Sequence, residues 1–433
     1  MPDVDVIVVG GGPAGACAAM TLARAGREVV LLERGPFPGS KNMYGGVVYP
    51  RVLDSLIPAW WEEAPIQRWV TRRCTMLMTP TQALSVDYRT NAWGRAPYNG
   101  ATAYRPDWDA WLAGKAESDG AQLVCSTTAT GLLRDGERVV GVRTDRPGGD
   151  LTAWVVIACD GVNSFLAKEA GLYHLVDPAN YTVGVKETIA LPKEVIDERF
   201  GVRGRDGVDL EILGCTDDVP GGAFMYTNLD TVAVGVVLNV PALAGQQRRP
   251  EQIIADLKAH PAVAPLVEGG ELKEYSAHLI PEGGWDMMPT LGGPGLLVAG
   301  DAAAFCLAAG IWLEGVNFAM GSGMIAGRVV DEAMKAGTIA GADLADRYRA
   351  ELARTFVLKD HKKLRRAPHL VLSERVQQRY PLMVNNVVER MFRVDNPDHK
   401  PGLRRILREE RQRAGVRVRE MVRDAYSGWR SFG

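Results

Sequence analysis

Three clusters of glycines and acids carry the chemistry that can be read from this chain. The first lies in DVIVVGGGPAGACAAMTLARAGREVVLLER, residues 5–34. Gly10, Gly12 and Gly15 form G-x-G-x-x-G, with Pro13 and Ala14 before the last glycine. The first glycine permits a sharp turn. The second lets a pyrophosphate approach the backbone, and the third lets a helix pack close to a strand. Glu33 follows at about the 20-residue distance at which a carboxylate accepts adenosine ribose hydroxyls, and Arg34 stands beside it. This chemistry needs a buried strand at 6–9 and a second strand at 28–32. Between them it needs an Ala-rich helix at 13–25, whose N-terminus offers free N–H groups and a positive dipole end to phosphates. The sequence supplies all of these, so a dinucleotide is the expected ligand. The alternative is a glycine-rich turn in an ordinary α/β unit.

The second cluster ends LTAWVVIACDGVNS, residues 151–164. A buried strand runs into Asp160 and Gly161, where the acid either faces a cofactor or caps a turn. The third lies in GLLVAGDAAAF and its continuation. After a strand at 296–299, Gly300 permits close approach and Asp301 can receive a ribityl or ribose hydroxyl. Gly315, Val316 and Asn317 open a long helix of small residues. Its N-terminus suits a group that gains negative charge, such as the O2 edge of a flavin on reduction. Gly45 and Gly46, in the loop 36–50, read either as backbone pressed against a cofactor's flat middle, with Lys41 or Asn42 as polar contacts, or as a plain loop. Arg105 stands at the mouth of a helix at 106–117, where a guanidinium can hold phosphate or ribose oxygens bidentately.

The elements around these clusters suggest more than one domain, as a length of 433 residues requires. Residues 51–70 read as a helix broken near Pro58, with Trp60 and Trp61 either in the core or at an interface. Strands follow at 74–78 and 83–89. A hairpin turns at Asp135-Gly136 with a type I′ signal, and residues 181–240 are strand-rich. A helix is expected at 250–257, another over 340–366, and an amphipathic piece at 377–392. The arginine- and glutamate-dense helix at 403–423 is a solvated face with i,i+4 pairs or a docking element. The net charge of −2 gives no sign of nucleic-acid binding. Six scattered cysteines without C-x-x-C support neither a zinc site nor an iron–sulfur cluster, and suit reduced thiols in a cytosolic protein. The start has no signal-peptide pattern, and the apolar region 295–330 contains Asp301 and Glu314, against a membrane span.

The order G-G-G-P-A-G with Glu33, C-D-G-V-N-S with Asp160, and G-D-A-A with Asp301 resembles the glutathione-reductase-2 class of FAD proteins, the p-hydroxybenzoate-hydroxylase-like group, over roughly residues 4–355. Within that class the chain looks like the FixC family, relatives of electron-transfer-flavoprotein:quinone oxidoreductase. Residues 41–46 (KNMYGG), 185–187 (VKE), 279–284 (LIPEGG) and 313–320 (LEGVNFAM) carry this likeness. The tail 373–392 and the ending DAYSGWRSFG are also similar to FixC-type tails. The longer quinone oxidoreductases hold an iron–sulfur cluster on C-terminal cysteines. This chain has none after Cys306, which favours the FixC arrangement, where a separate ferredoxin-like subunit supplies the cluster.

The resemblance implies an α/β fold. A Rossmann-like FAD-binding domain would occupy 1–70, 100–170 and 286–355, and an inserted, mostly antiparallel sheet on the quinone side would occupy 71–99 and 171–285. A helical partner-docking segment would follow at 356–433. It implies non-covalent FAD, electrons taken from electron-transfer flavoprotein subunits and passed to a quinone, and a ferredoxin-like iron–sulfur partner. The expected location is cytoplasmic, peripheral to the inner face of the cell membrane, with residues 60–61 or 381–392 as candidate contact surfaces. An electron relay needs little acid–base chemistry, so no catalytic residue is assigned. Tyr44 and Glu314 lie near the glycine motifs that would frame the flavin. His174, His260 and His278 read as structural or surface residues. Two other readings share the same signatures. One is an NAD(P)H-dependent monooxygenase or geranylgeranyl-reductase-like enzyme, and the other is a subunit that holds FAD structurally.

Overall fold

The computed structural model describes residues 1–42, 45–174, 177–310 and 313–432. At its centre, the apolar strand Val4–Val9 is flanked in parallel by Val29–Leu32 and Leu151–Ala158, with Val6 opposite both Val29 and Val155. Leu296–Val298 extends the sheet beyond Leu151–Ala158, and Gln122–Val124 extends it beyond Val29–Leu32, both in parallel. Continuous apolar runs are what strands covered on both faces require. The hairpin Ala129–Asp135 and Arg138–Thr144 joins this sheet through Leu151–Ala158. Only Gly136 of its two turn residues has positive φ, at 57°. A type I′ turn needs positive φ at both positions, so the expected hairpin forms on a different turn.

The helix Pro13–Arg24 lies on this sheet, and the helix Val316–Lys335 crosses it at backbone distance. A Cβ on Gly323 would stand 2.0 Å from the Ala14 carbonyl oxygen, and one on Gly327 would stand 2.9 Å from that of Ala18. The small-residue pattern of the long helix therefore serves contact between main chains.

The second sheet runs in the order Glu271–Pro281, Tyr181–Ala190, Thr231–Asn239, Gly221–Thr227, Asp206–Leu213, Ile66–Met78, Ala101–Ala103 and Gly46–Val48. Ala83–Arg89 pairs alongside Ile66–Met78. Its pairings are antiparallel except that of Asp206–Leu213 with Ile66–Met78, which is parallel. The long helix expected over 51–70 is absent. Pro50, Pro58 and Pro65 interrupt the segment, which forms two short 3-10 turns at Pro50–Ser55 and Trp60–Glu62 before the strand begins at Ile66. That strand crosses the expected domain boundary at 70. Trp60 is buried and packs edge-on against Trp61, Trp69 and Trp108, so it offers no outward surface.

Residues 340–366 form two helices, Leu344–Arg354 and Phe356–Lys363, rather than one. Further helices, Tyr380–Phe392 among them, dock the C-terminal segment on the second sheet. Asn385 Nδ2 donates to Leu77 O at 3.1 Å, and Gln377 Oε1 accepts from Gly221 N–H at 3.3 Å. No helix among the described residues is long and apolar enough to cross a membrane.

Two glycine substitutions should separate close packing from ordinary helix propensity. Gly323→Ala should lower stability by about 3 kcal/mol, because the new methyl meets backbone that cannot rotate away. Gly114→Ala, on a helix where the added Cβ meets nothing within 4 Å, should raise stability by roughly 1 kcal/mol. Thermal midpoints of the two variants would check both signs.

Candidate FAD site

The glycine turn is made of contacts that only glycine permits. Gly10 has φ +105°, and its Cβ would fall 2.2 Å from the Cys159 carbonyl oxygen. A Cβ on Gly15 would lie 2.0 Å from Gly10 O. Gly12 differs: its conformation is extended and a Cβ would meet nothing within 4 Å. It caps the N-terminus of Pro13–Arg24, so the open space lies where the helix presents free N–H groups. Glu33 is buried, accepting from Gly11 N–H at 3.0 Å through Oε2 and from Gly35 N–H at 2.6 Å through Oε1. Each oxygen keeps a lone pair for a further donor. Arg34 points to the surface.

The third cluster is drawn onto the first helix. Gly300 has φ +66°, its N–H donates to Ser322 Oγ at 3.0 Å, and its Cβ would press on Ala14 Cβ at 2.9 Å. Asp301 follows it. Water reaches the cleft beside Asp301, yet the surrounding protein raises its carboxyl pKa, a rise the Arg105 guanidinium opposes. Arg105 is held by two parallel bonds to Asp109, each 2.9 Å, and Asp109 also accepts from Asn42 Nδ2 at 2.7 Å. An acid of its own helix thus takes two of the five donors of the guanidinium expected to grip phosphate.

Asp160 does cap: its Oδ2 accepts from Leu166 N–H at 3.1 Å. Its Oδ1 is buried without a partner, and burial raises its pKa. Gly161, at φ +76°, opens onto no atom within 4 Å, and the same holds for Gly46. Asn317, in the first turn after Gly315 and Val316, donates through Nδ2 to Glu314 Oε2 at 2.6 Å and leaves its buried Oδ1 unpartnered. Burial raises the Glu314 carboxyl pKa. Gly45 has φ +97°, and its carbonyl accepts from Lys186 Nζ at 3.1 Å. Tyr44 lies outside the described residues. Open glycine faces, buried acceptors lacking donors and a helix N-terminus together fit a long polar ligand with a pyrophosphate.

Several groups near this cleft escaped the reading of motifs. Lys186 is 1% exposed, and burial pulls its amine down to about 7. Its signal is a lone cation inside the apolar strand YTVGVKETIA. Arg73 pairs with both Asp209 and Glu211. Burial raises both acids, and on Glu211 the neighbouring Asp209 adds to the rise. Burial also lifts Glu282 to about 7. An apolar cavity of 350 Å³ is lined by Phe224, Leu313, Val371 and Leu372, with Glu211 and Glu282 in its wall. Leu313 lines the cavity and its neighbour Glu314 accepts from Asn317, so the cavity abuts the Asn317 end of the cleft. A larger, polar cavity of 560 Å³, around Arg89, Asp197 and Arg203, shares no residue with either.

The histidines are structural where their partners are seen. His260 is buried between Thr79 O and Ala262 N–H, His174 pairs with Thr290 Oγ1, and His278 with the Leu279 carbonyl. His361 is buried beside Phe305 and Phe318, with Nδ1 donating to Val357 O. No group of His, Cys, Asp and Glu among the described residues is placed to hold a metal ion.

Residues 3–198 match the family described as FAD binding domain, and residues 367–433 match the ETF-QO/FixC family C-terminal domain. The chain is 38% identical over 399 residues to the probable electron transfer flavoprotein-quinone oxidoreductase YdiS of Escherichia coli (strain K12), covering 92% of each. It is 37% identical to Protein FixC of Azotobacter vinelandii, over 99% of this chain and 98% of that one. Among solved structures, a geranylgeranyl bacteriochlorophyll reductase-like protein from Thermoplasma acidophilum superposes with a TM-score of 0.72 at 19% identity. The match covers 97% of this chain and 99% of that one, and shows a shared fold. Fold and cleft define an FAD-dependent oxidoreductase. The chain belongs to the FixC family of electron-transfer-flavoprotein:quinone oxidoreductase relatives.

Two outcomes follow for this site. Gly12→Leu should give a folded protein with the thermal midpoint of the flavin-free wild type and no bound-flavin absorbance, since the new side chain enters open space where pyrophosphate would lie. His361 should weaken the fold in acid. Burial lowers it from 6.5 to about 4, so between these values the folded state holds the neutral form while the unfolded chain is protonated. Above pH 6.5 the two states agree. As pH falls from 6.5 towards 4 the unfolded chain takes up the proton first and stability drops, by about 3 kcal/mol in all. His361→Asn should remove that part of the acid sensitivity, seen by comparing denaturation of both proteins across this range.

Proposed function

We propose that this protein accepts electrons from an electron-transfer flavoprotein and passes them to a quinone, as one subunit of a complex with a ferredoxin-like iron–sulfur protein. The apolar cavity carries this reading. It is open to a flat, lipid-soluble ring, it contains few polar groups, and it abuts the cleft where its lining residue Leu313 precedes Glu314, the partner of Asn317. Bound FAD supplies the redox centre, taking electrons one or two at a time. The protein's own part is placement. Gly12 and the helix behind it receive the pyrophosphate, Glu33 the adenosine ribose, and Asp301 a hydroxyl of the chain between. The N-terminus of Val316–Lys335, with Gly315, Val316 and Asn317, would stabilise the ring edge that gains charge on reduction. Gly45 and Gly46 let the main chain lie against the ring, and Lys186 fixes that loop by its bond to Gly45 O. Burial lifts the Glu282 carboxyl to about 7, so beside the cavity it can both take up and release a proton near neutral pH.

Named relatives of this family support the reading, YdiS among them as a probable electron transfer flavoprotein-quinone oxidoreductase. In this reading the iron–sulfur cluster belongs to the ferredoxin-like partner. The complex would sit at the inner face of the cell membrane.

Anaerobic visible spectroscopy tests the proposal. The flavin should ignore NADH and NADPH, bleach with reduced electron-transfer flavoprotein, and recover its colour with a short-chain quinone. Rapid bleaching by NADPH alone would sink the relay and point to a monooxygenase or reductase. Val371→Trp, which fills the cavity, should slow recovery by quinone about tenfold or more, as binding in an apolar pocket is lost, and leave bleaching by the flavoprotein unchanged.

A further inference from the structure

The last helix, Val418–Phe432, carries an apolar stripe on the side turned away from the protein. Residues advance about 100° each around a helix, which puts Val418, Val422, Tyr426 and Trp429 on one stripe and Asp424 and Ser431 on the other side. The side towards the protein mixes polar residues with Met421 and Phe432, which pack on the core. Asp424 and Ser431 are buried, and Asp424 accepts from Arg375 Nη2 at 2.8 Å and from Tyr380 OH at 2.7 Å. The apolar side faces outward: Val418, Val422, Tyr426 and Trp429 are 58, 64, 55 and 71% exposed.

The helix before it, Leu403–Arg413, repeats the design. LRRILR at 403–408 answers VREMVR at 418–423. Leu403 and Leu407 are exposed, while Ile406 and Glu410 are buried. In each helix an arginine pair, Arg404 with Arg408 and Arg419 with Arg423, follows the apolar pair and flanks it on the same side. Arg423 also approaches Asp424 Oδ1 at 3.8 Å, and the Arg430 guanidinium lies 5.7 Å from the Tyr426 ring centre. Residues 403–432 hold nine arginines and four acids. The acids are engaged: Glu409 and Glu410 by Arg390, Arg405 and Arg413, Glu420 by Arg417 N–H, and Asp424 by Arg375. The surface is therefore positive around an apolar stripe.

We propose that these two helices are a docking surface for an anionic lipid bilayer. Valine, leucine, tyrosine and tryptophan enter the headgroup region, and the flanking arginines meet lipid phosphates. Apolar residues on one side of a helix, aromatic residues among them and arginines at the margin, are the composition of a helix lying in a membrane interface. A second copy fits poorly, since a two-fold contact would set the same arginines against each other. Phe432, the last described residue of the helix, also lines the apolar cavity, so the helix ends at the cavity wall. The inference extends the proposed use of a lipid-soluble acceptor, but it rests on the geometry of these helices.

The test is flotation of the full-length, FAD-loaded protein with vesicles of phosphatidylcholine alone or mixed with phosphatidylglycerol. The protein should float with the mixed vesicles, not with phosphatidylcholine alone, and added salt should release it. Arg419→Gln with Arg423→Gln should weaken partitioning by about tenfold or more. Tyr426→Ser with Trp429→Ser should weaken it similarly, and both double variants should keep flavin absorbance and thermal midpoint. Absence of binding to mixed vesicles, or binding unchanged in both double variants, overturns the proposal. So does a dimer in light scattering, or a complex with purified electron-transfer flavoprotein, that the variants abolish while vesicle binding stays the same. Failure of quinone to reoxidise the flavin would instead count against the proposed function and leave the vesicle result standing.

Discussion

The structure depends on two helices touching through their main chains. Gly323 and Gly327 of the long helix sit against the carbonyls of Ala14 and Ala18, and Gly300 lies against Ala14 from the preceding turn. A single methyl at Gly323 would fall inside the van der Waals radius of a carbonyl oxygen. This contact sets the height of Asp301 and Asn317 above the glycine turn, which lies some 300 residues earlier in the chain. The cleft is therefore not a property of either segment. It exists because two helix surfaces have no side chains where they meet.

Around the far end of the cleft the protein tolerates groups that burial disfavours. Lys186, Asp209, Glu211 and Glu282 all stand in or beside apolar surroundings, and burial shifts each towards its neutral form. Keeping such groups there costs stability unless they are paired or neutralised. Arg73 answers the two acids of one strand, and the Gly45 carbonyl answers Lys186. Shifted groups cluster at functional sites more than elsewhere in proteins. Here they gather where an apolar cavity meets the end of the long helix.

The glycine turn, Glu33 and the strands at 6–9 and 28–32 were legible because each local pattern has one physical solution. The same holds for the helix beginning at Val316. The segment 51–70 was misread because its apolar spacing suits a helix, while three prolines and the burial of Trp60 in an aromatic cluster act against it. The hairpin at Asp135 showed in alternation, but its turn type depended on the φ of Glu137, which composition does not set. Arg105 was read as a ligand-facing fork. Its partner Asp109 sits one helical turn away, a spacing visible in the sequence but easily overlooked beside the glycine motifs. The cavity and the shifted carboxyls were not legible at all, because they arise from strands far apart in sequence that meet only in the folded sheet.

The order of strands in the first sheet bears on how the protein is made. Val4–Val9 lies beside Leu151–Ala158, and that strand lies beside Leu296–Val298. The helix that covers the glycine turn ends at Lys335. During synthesis the N-terminal unit emerges with one edge of its central strand unpaired and the top of its helix bare. The residues that complete the cleft, from Gly300 to Gly323, come late in the chain, so most of it must leave the ribosome before the cleft is whole. Long-range parallel pairing of this kind forms slowly. The nascent chain therefore passes a long interval with apolar strands exposed, and flavin capture comes near the end of folding.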